Sequence, residues 1–207
     1  MAKLYLLPTP NNDALEVLVT EAKLQDQIEI VHLNWGDTRT EEFLAKFPEG
    51  QAPAFEDGEF YLSQSGAILR YIARTYEGAE KFYPNDNQVR AQIDSLLEFR
   101  QTVFWPPVLT IVSVAKFGRK GAAALPESQD EAKEKAAALP GKIEAFLGDT
   151  SFLVGDQLSI ADIYITTSGL LILGELGAEP SDKVKAYSAA VLEAAPSIAP
   201  VLAKYKK

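Results

Sequence analysis

Cysteine is absent from the 207 residues. Disulfides, thiolate metal sites and a cysteine nucleophile are thereby excluded, and a reducing, cytoplasmic setting is the expectation. Histidine occurs once, at His32. One imidazole in a strand makes no metal site, so none is expected, and no base stands ready for Ser-His hydrolysis. Long apolar runs are missing as well. No stretch nears the roughly 20 residues that cross a bilayer, and MAKLYLLPTP lacks the apolar core and cleavage site of a secretory signal. A membrane partner is therefore not expected. Basic residues are in the minority: 20 Lys plus Arg against 29 Asp plus Glu, a formal charge of −9 and a pI near 4.7. Nucleic-acid binding relies on clustered Lys and Arg, so nucleic acid is not an expected partner. The acid excess reads as a solubility device. What is present is an ordinary globular composition, 47% hydrophobic and 24% charged. That is enough to bury a core in one large or two small domains.

The pattern changes along the chain. Residues 3–7 (KLYLL) read as a buried strand, closed by Pro8-Thr9-Pro10-Asn11-Asn12. Leu15, Leu18, Val19 and Ala22 recur at helical spacing over 13–24, with Asn12 or Asp13 as N-cap. Residues 28–33 (IEIVHL) follow as a second strand, apolar enough on both faces to be covered twice. Strand, helix, strand in this length implies a parallel pair with a right-handed crossover. Thr40 caps a short helix over 40–47, with two acids in its first turn. Asp57-Gly58 between apolar runs signals a hairpin. A helix then opens near Ser65 and carries Ile68, Leu69, Tyr71, Ile72 and Tyr76. The first 78 residues thus read βαβαββα, 79–87 a polar linker, and 88–207 all-helical, with helices near 88–117, 128–147, 160–175 and 181–203. Loops are expected at 118–127 and 148–157. Tyr205-Lys206-Lys207 reads as a solvated tail or a helix end set against its own dipole.

Two positions carry distinctive physics. Pro53 leads into an apolar strand, where its missing N–H is harmless. The Ala52–Pro53 bond is either an ordinary trans turn or a cis bond costing only about 0.5–1 kcal/mol. A cis bond would turn the Ala52 N–H and C=O outward, where an extended peptide can pair with them. Gln64-Ser65 opens a helix whose free N–H groups and positive dipole end favour a carboxylate. The plain alternative is an ordinary helix start. Together the two suit a small peptide with a free carboxylate. Leu158-Ser159-Ile160-Ala161-Asp162-Ile163 is a capping box with a flanking Leu158/Ile163 staple, and Asp162 reads as structural.

These features in this order resemble the glutathione transferase superfamily over essentially the whole chain. The resemblance implies a thioredoxin-like α/β domain followed by an all-α domain, glutathione as co-substrate, and a homodimer. Residues 39–55 (RTEEFLAKFPEGQAPAF) and Trp105-Pro106-Pro107 look most like the transferase-like domain of the translation elongation factor gamma subunit. That subunit continues into a Lys-rich linker and a further domain, so the likeness covers only its transferase half or a free-standing relative. Carried over, the resemblance gives Ala52, before Pro53, to the cysteinyl backbone of glutathione, and Gln64 and Ser65 to the γ-glutamyl end. Arg39, Lys46 and Gln51 fall where the family contacts the glycyl carboxylate or peptide backbone. Phe104, Trp105, Val108 and Phe117 would line a hydrophobic second-substrate pocket between domains, or simply pack the helices.

The resemblance also implies a hydrogen-bond donor to the thiol at the end of the first strand or the start of the first helix, since a donor to sulfur stabilises thiolate over thiol. Tyr5, Thr9 and Asn11, with Asn12, are the candidates. Strand alternation favours a packed Tyr5, and Thr9 is held between two prolines. The leading expectation is conjugation of glutathione to a small hydrophobic electrophile. The alternatives are a non-catalytic domain that docks translation-factor partners, and a glutathione-storing protein without turnover.

Overall fold

The computed structural model describes residues 1–121, 128–174 and 177–205, apart from the side chains of 115–121. The chain divides into two units: Met1–Asn85 with the stretch from Ala195 onward, and Asp86–Ala194. The division falls inside the expected linker at 79–87. That segment is not a polar connector, however: it makes a 3₁₀ turn at Glu80–Phe82, and Ala79, Phe82 and Tyr83 are buried. Residues 195–205 group with the first unit, whereas 88–207 is expected from the sequence as one all-helical domain.

The first unit follows the expected order: β1 (Ala2–Leu6), α1 (Pro10–Glu21), β2 (Ile28–His32), α2 (Glu41–Lys46), β3 (Ala54–Asp57), β4 (Phe60–Ser63) and α3 (Ser65–Thr75). The sheet runs β2-β1-β3-β4. β1 is parallel to β2 and antiparallel to β3, which is antiparallel to β4. β2 is therefore an edge strand. Only its Ile28 is fully buried and His32 is exposed, against the expectation of cover on both faces. The α1 start also differs. Thr9, extended at φ −135° and ψ 149°, takes the N-cap position and Pro10 the first turn. Proline fits there because its missing N–H is unneeded and its φ already helical. Asn12 and Asp13, the expected caps, are buried instead. Thr40 caps α2, its Oγ1 accepting from the Phe43 N–H at 3.3 Å.

The Asp57-Gly58 signal holds. Asp57 pairs with Phe60, and Gly58 adopts φ 62°, which a side chain would resist. Asp57 Oδ2 also accepts from the hydroxyls of Tyr71 (3.0 Å) and Tyr76 (3.1 Å), fastening the hairpin to α3. Leu4, Leu15, Leu18, Phe55, Ile68 and Ile72 are fully buried. Each such side chain contributes about 1.5–3 kcal/mol on leaving water.

The second unit is helical among its described residues: α4 (Asn87–Phe99), α5 (Trp105–Gly121), α6 (Gln129–Ala137), α7 (Leu139–Leu147), α8 (Ile160–Thr167) and α9 (Asp182–Ala194). A π-helical turn, Arg100–Phe104, joins α4 to α5. α10 (Ile198–Ala203) belongs to the first unit. The helix expected over 128–147 is broken before Pro140, and that over 181–203 at Pro196. Proline removes the N–H that would continue each ladder. α5 runs to Gly121, so residues 118–121 of the expected loop at 118–127 are helical, and residues 122–127 lie outside the description. Ser159 and Asp162 form the expected capping box. Asp162 Oδ2 accepts from the Ser159 N–H and hydroxyl, and Oδ1 from the Leu153 N–H and the Tyr187 hydroxyl. Its role is structural.

Arg100 is wholly buried. Its guanidinium lies 3.9 Å from the Tyr164 ring centroid and 4.6 Å from that of Trp105, and donates to Ser168 Oγ at 2.7 Å. Burial pulls its pKa down to about 10, so it stays charged at neutral pH. The aromatic faces and hydroxyls offset part of its desolvation.

Candidate functional site

Strand direction gathers the sequence-predicted residues. Because Tyr5 pairs with Ala54 and Ala54 with Ser63, the C-terminal end of β1, the N-terminal end of β3 and the C-terminal end of β4 share one edge of the sheet. The β1–α1 turn, Ala52-Pro53 and Gln64-Ser65 hang from that edge. The parallel strand β2 delivers the segment holding Arg39 to the same end.

Asn12 organises the β1–α1 turn. Its side-chain oxygen accepts from the Leu7 N–H at 3.1 Å, and its amide nitrogen donates to Thr9 Oγ1 at 2.5 Å. Thr9 occupies the N-cap position without its side chain capping the helix. Its hydroxyl oxygen is thus an acceptor toward Asn12, which leaves the O–H proton available to a third group. Asn11 is half-buried beside this turn.

The Ala52–Pro53 bond is cis. Among the described residues no group of the chain hydrogen-bonds to the Ala52 backbone. Gly50, at φ 58°, lies under Arg39: a Cβ there would stand 2.8 Å from Arg39 Nη1. The missing side chain lets the guanidinium rest against the 50–53 loop, next to the exposed Gln51. Ser65 begins α3 and is buried. Gln64 precedes it in a left-handed backbone, φ 75° and ψ 115°, that a residue with a side chain adopts at a cost of about 1–3 kcal/mol. Such strain persists where surrounding structure imposes it, commonly at ligand sites. The Gln64 amide donates to Glu49 Oε2 at 2.8 Å.

The other expected residues have different surroundings. The Tyr5 hydroxyl donates to Glu56 Oε2 at 2.8 Å, and its ring packs edge-on against Phe43 and Phe47. Burial, followed by the Glu56 contact, pushes its pKa well above the ordinary phenol value. The Tyr5 hydroxyl proton is thus engaged by Glu56. Lys46 binds both oxygens of Glu56, at 3.1 and 2.9 Å, and this ion pair raises its pKa against a smaller opposing effect of burial. Within the chain its ammonium is thus paired with a carboxylate, at a position where the resemblance expects a contact to the glycyl carboxylate or the peptide backbone. Phe104, Trp105 and Val108 are 0%, 6% and 1% exposed. Val108 lies against Gly169 and Trp105 against Arg100. The side chain of Phe117 lies outside the described residues.

Three features went unread in the sequence. Asn12 was weighed as a helix cap or sulfur donor, yet it clamps the turn. Glu49 drew no comment, since a carboxylate in a Pro-Glu-Gly turn carries no periodic signal. The chain's end reads in the sequence as a solvated tail or a helix end, and its docking on α1 through α10 carries no sequence signal. Lys204 Nζ pairs with Asp13 Oδ1 at 2.7 Å and Glu16 at 3.2 Å, the Tyr205 hydroxyl donates to Asp13 Oδ1 at 3.2 Å, and the Ser197 N–H donates to Glu21 at 2.8 Å. Lys206 and Lys207 lie outside the described residues. Asp13 Oδ2 has no hydrogen-bond partner among the described residues. Burial outweighs the Lys204 and Tyr205 contacts and raises the Asp13 pKa to about 6.

Comparison with known proteins identifies the fold that carries these residues. Residues 2–74 match the family model for the glutathione S-transferase N-terminal domain, and 104–194 the model for its C-terminal domain. The chain is 28% identical over 153 residues to mouse (Mus musculus) glutathione S-transferase theta-3, covering 68% of this chain and 60% of that protein. It is 31% identical over 188 residues to human (Homo sapiens) elongation factor 1-gamma, covering 86% of this chain and 40% of that one. The matched stretch is thus at most about two thirds of either relative. Among solved structures, a delta-class glutathione transferase from Nilaparvata lugens superposes with a TM-score of 0.83 at 21% identity, covering 97% of this chain and 92% of that one.

Proposed function

The chain belongs to the glutathione S-transferase family, and we propose that its first unit binds glutathione and activates the thiol for attack on a small hydrophobic electrophile. The observation that carries this reading is the Asn12-held Thr9 hydroxyl, at the sheet edge it shares with Ala52-Pro53 and Gln64-Ser65. The residues present fit the ligand. Ala52 offers backbone groups that nothing among the described residues engages, the start of α3 favours a carboxylate, and Arg39 at the 50–53 loop suits a second one. Glutathione supplies the nucleophilic sulfur. Thr9 donates its O–H to that sulfur, and the Asn12 amide keeps the donor aimed. A hydrogen bond to a charged acceptor is worth about 1.5–3 kcal/mol. Removing it should therefore slow the reaction roughly 10- to 100-fold.

The test is conjugation of glutathione to a chloronitrobenzene, with Thr9→Ala and Thr9→Ser beside the wild type. The expected result is turnover by the wild type, a loss of that size in kcat for Thr9→Ala, and recovery in Thr9→Ser. Turnover untouched by Thr9→Ala would remove Thr9 from the mechanism.

One observation favours a second reading. The likeness to human elongation factor 1-gamma runs over 86% of this chain, further than the likeness to the theta-3 transferase. On that reading the fold serves as a docking domain for translation-factor partners. Glutathione binding without turnover with any electrophile would favour this reading or the storage role. The electrophile reading also carries a homodimer in the cytoplasm as the working state.

A further inference from the structure

Thr9 stands at the N-cap of α1, but its side chain does not cap the helix. A first turn without that cap leaves N–H groups lacking intrahelical partners, and it frays readily. The same turn carries Asn12, whose amide aims the Thr9 hydroxyl, and Asp13, whose side chain is 0% exposed. What holds this turn comes from the far end of the chain. α10 lies against α1 within the first unit and runs opposite to it. The Ser197 N–H meets Glu21 at the end of α1, whereas Lys204 and Tyr205 meet Asp13 at its start. Lys204 Nζ bridges Asp13 Oδ1 at 2.7 Å and Glu16 Oε2 at 3.2 Å, two acids three residues apart and so on one helix face. Ile198 and Val201 of the same segment are buried. Burial sets the Asp13 pKa at about 6, so at pH 7 Asp13 is chiefly a carboxylate and the ion pair is in force.

We infer that Lys204 is a positioning residue for the thiol donor: by fixing Asp13 it holds the first turn of α1 and, through Asn12, the hydroxyl of Thr9. This rests on the reading of Thr9 as the donor to the glutathione sulfur. Asn12 and Asp13 are consecutive on one turn of helix, so a turn that loosens at Asp13 also moves the Asn12 amide away from Thr9 Oγ1 and from the Leu7 N–H. A misplacement of about 1 Å at a reacting group can cost roughly 100-fold in rate. A donor that is misplaced for part of the time should therefore forfeit roughly 3- to 10-fold.

Wild type, Lys204→Met and Lys204→Arg, each with and without Thr9→Ala, test this. Methionine removes the charge while keeping much of the apolar stem, arginine restores the charge, and thermal unfolding verifies that each variant is folded. In the ligand-free protein, the Leu7 amide should exchange with deuterium about fivefold faster in Lys204→Met and at the wild-type rate in Lys204→Arg. The thiolate absorbance of bound glutathione should titrate at higher pH in Lys204→Met than in wild type. Conjugation to a chloronitrobenzene should lose roughly 3- to 10-fold in kcat, with KM for glutathione nearly unchanged. With Thr9→Ala already present, Lys204→Met should cost nothing further in the thiol titration or in kcat. An equal loss in both backgrounds overturns the inference, because Lys204 would then act by its charge or by stability alone. An unmoved thiol titration in Lys204→Met, while Thr9→Ala shifts it, overturns the inference and leaves the Thr9 reading standing. If the wild type binds no glutathione, or Thr9→Ala leaves the thiol titration untouched, the Thr9 reading fails and this inference falls with it.

Discussion

Gly50 is a position where a single atom decides the site's shape. A Cβ would lie 2.8 Å from Arg39 Nη1 and 3.0 Å from both Leu44 Cδ2 and the Thr38 carbonyl oxygen, on a backbone at φ 58°. Gly50→Ala should therefore cost about 1–3 kcal/mol in urea unfolding. It should also weaken ligand binding by moving Arg39, and an unperturbed variant would contradict this account of the loop. Gln64 gives the converse test. Gln64→Gly removes the side-chain amide but relaxes a left-handed backbone. Stability should hold or rise while glutathione affinity falls, and a parallel loss of both would show that Gln64 is needed for folding alone. Ala52-Pro53 and Gln64-Ser65 were legible in the sequence because each pairs a distinctive residue with a strand or helix start. Gly50 and Asn12 were not, because their roles depend on Arg39 and Leu7, whose approach the fold sets.

Among the elements, α1 is the least ordinary, since Asp13 is buried beneath Lys204 and Tyr205 of the returning segment. Its pKa rises from about 4 to about 6 on folding. Below pH 4 both the folded and the unfolded chain hold the proton. Between about 4 and 6 the folded chain holds it more firmly, so stability declines as pH rises through that window and levels off above it. The loss attributable to Asp13 is about 2–3 kcal/mol. The unfolding free energy of wild type minus Asp13→Asn should be largest near pH 4 and shrink toward pH 7. A difference that grew with pH would mean that the Lys204 pair, which favours the carboxylate, outweighs burial. The α8 start is the more conventional case. Asp162 accepts from two backbone N–H groups and two hydroxyls inside the protein, so Asp162→Ala should cost about 3–5 kcal/mol. The Ser159–Asp162 box was readable as S-x-x-D before an apolar run. The similar box at Ser128–Glu131 was not singled out, because the polar helix it opens has little apolar pattern to mark it.

At the scale of the molecule, the βαβαββα order and the helical remainder followed from hydrophobic period and turn residues. The return of the chain to its first unit did not. A docking surface made of Ala195, Ile198 and Val201, all buried, is indistinguishable in sequence from a helix of the second unit. Deleting residues 195–207 should destabilise the first unit by several kcal/mol, about 3–6 from apolar burial alone. Unfolding followed by urea would detect it.

Family membership fixes the fold, whereas the function lies in the site, so the decisive measurement is glutathione binding itself. Titration calorimetry of the whole chain should give a saturable site, with affinity falling roughly tenfold or more in Ser65→Ala as the start of α3 loses a donor. No saturable binding by the wild type at millimolar glutathione would contradict the account, and attention would pass to protein partners of the elongation-factor type.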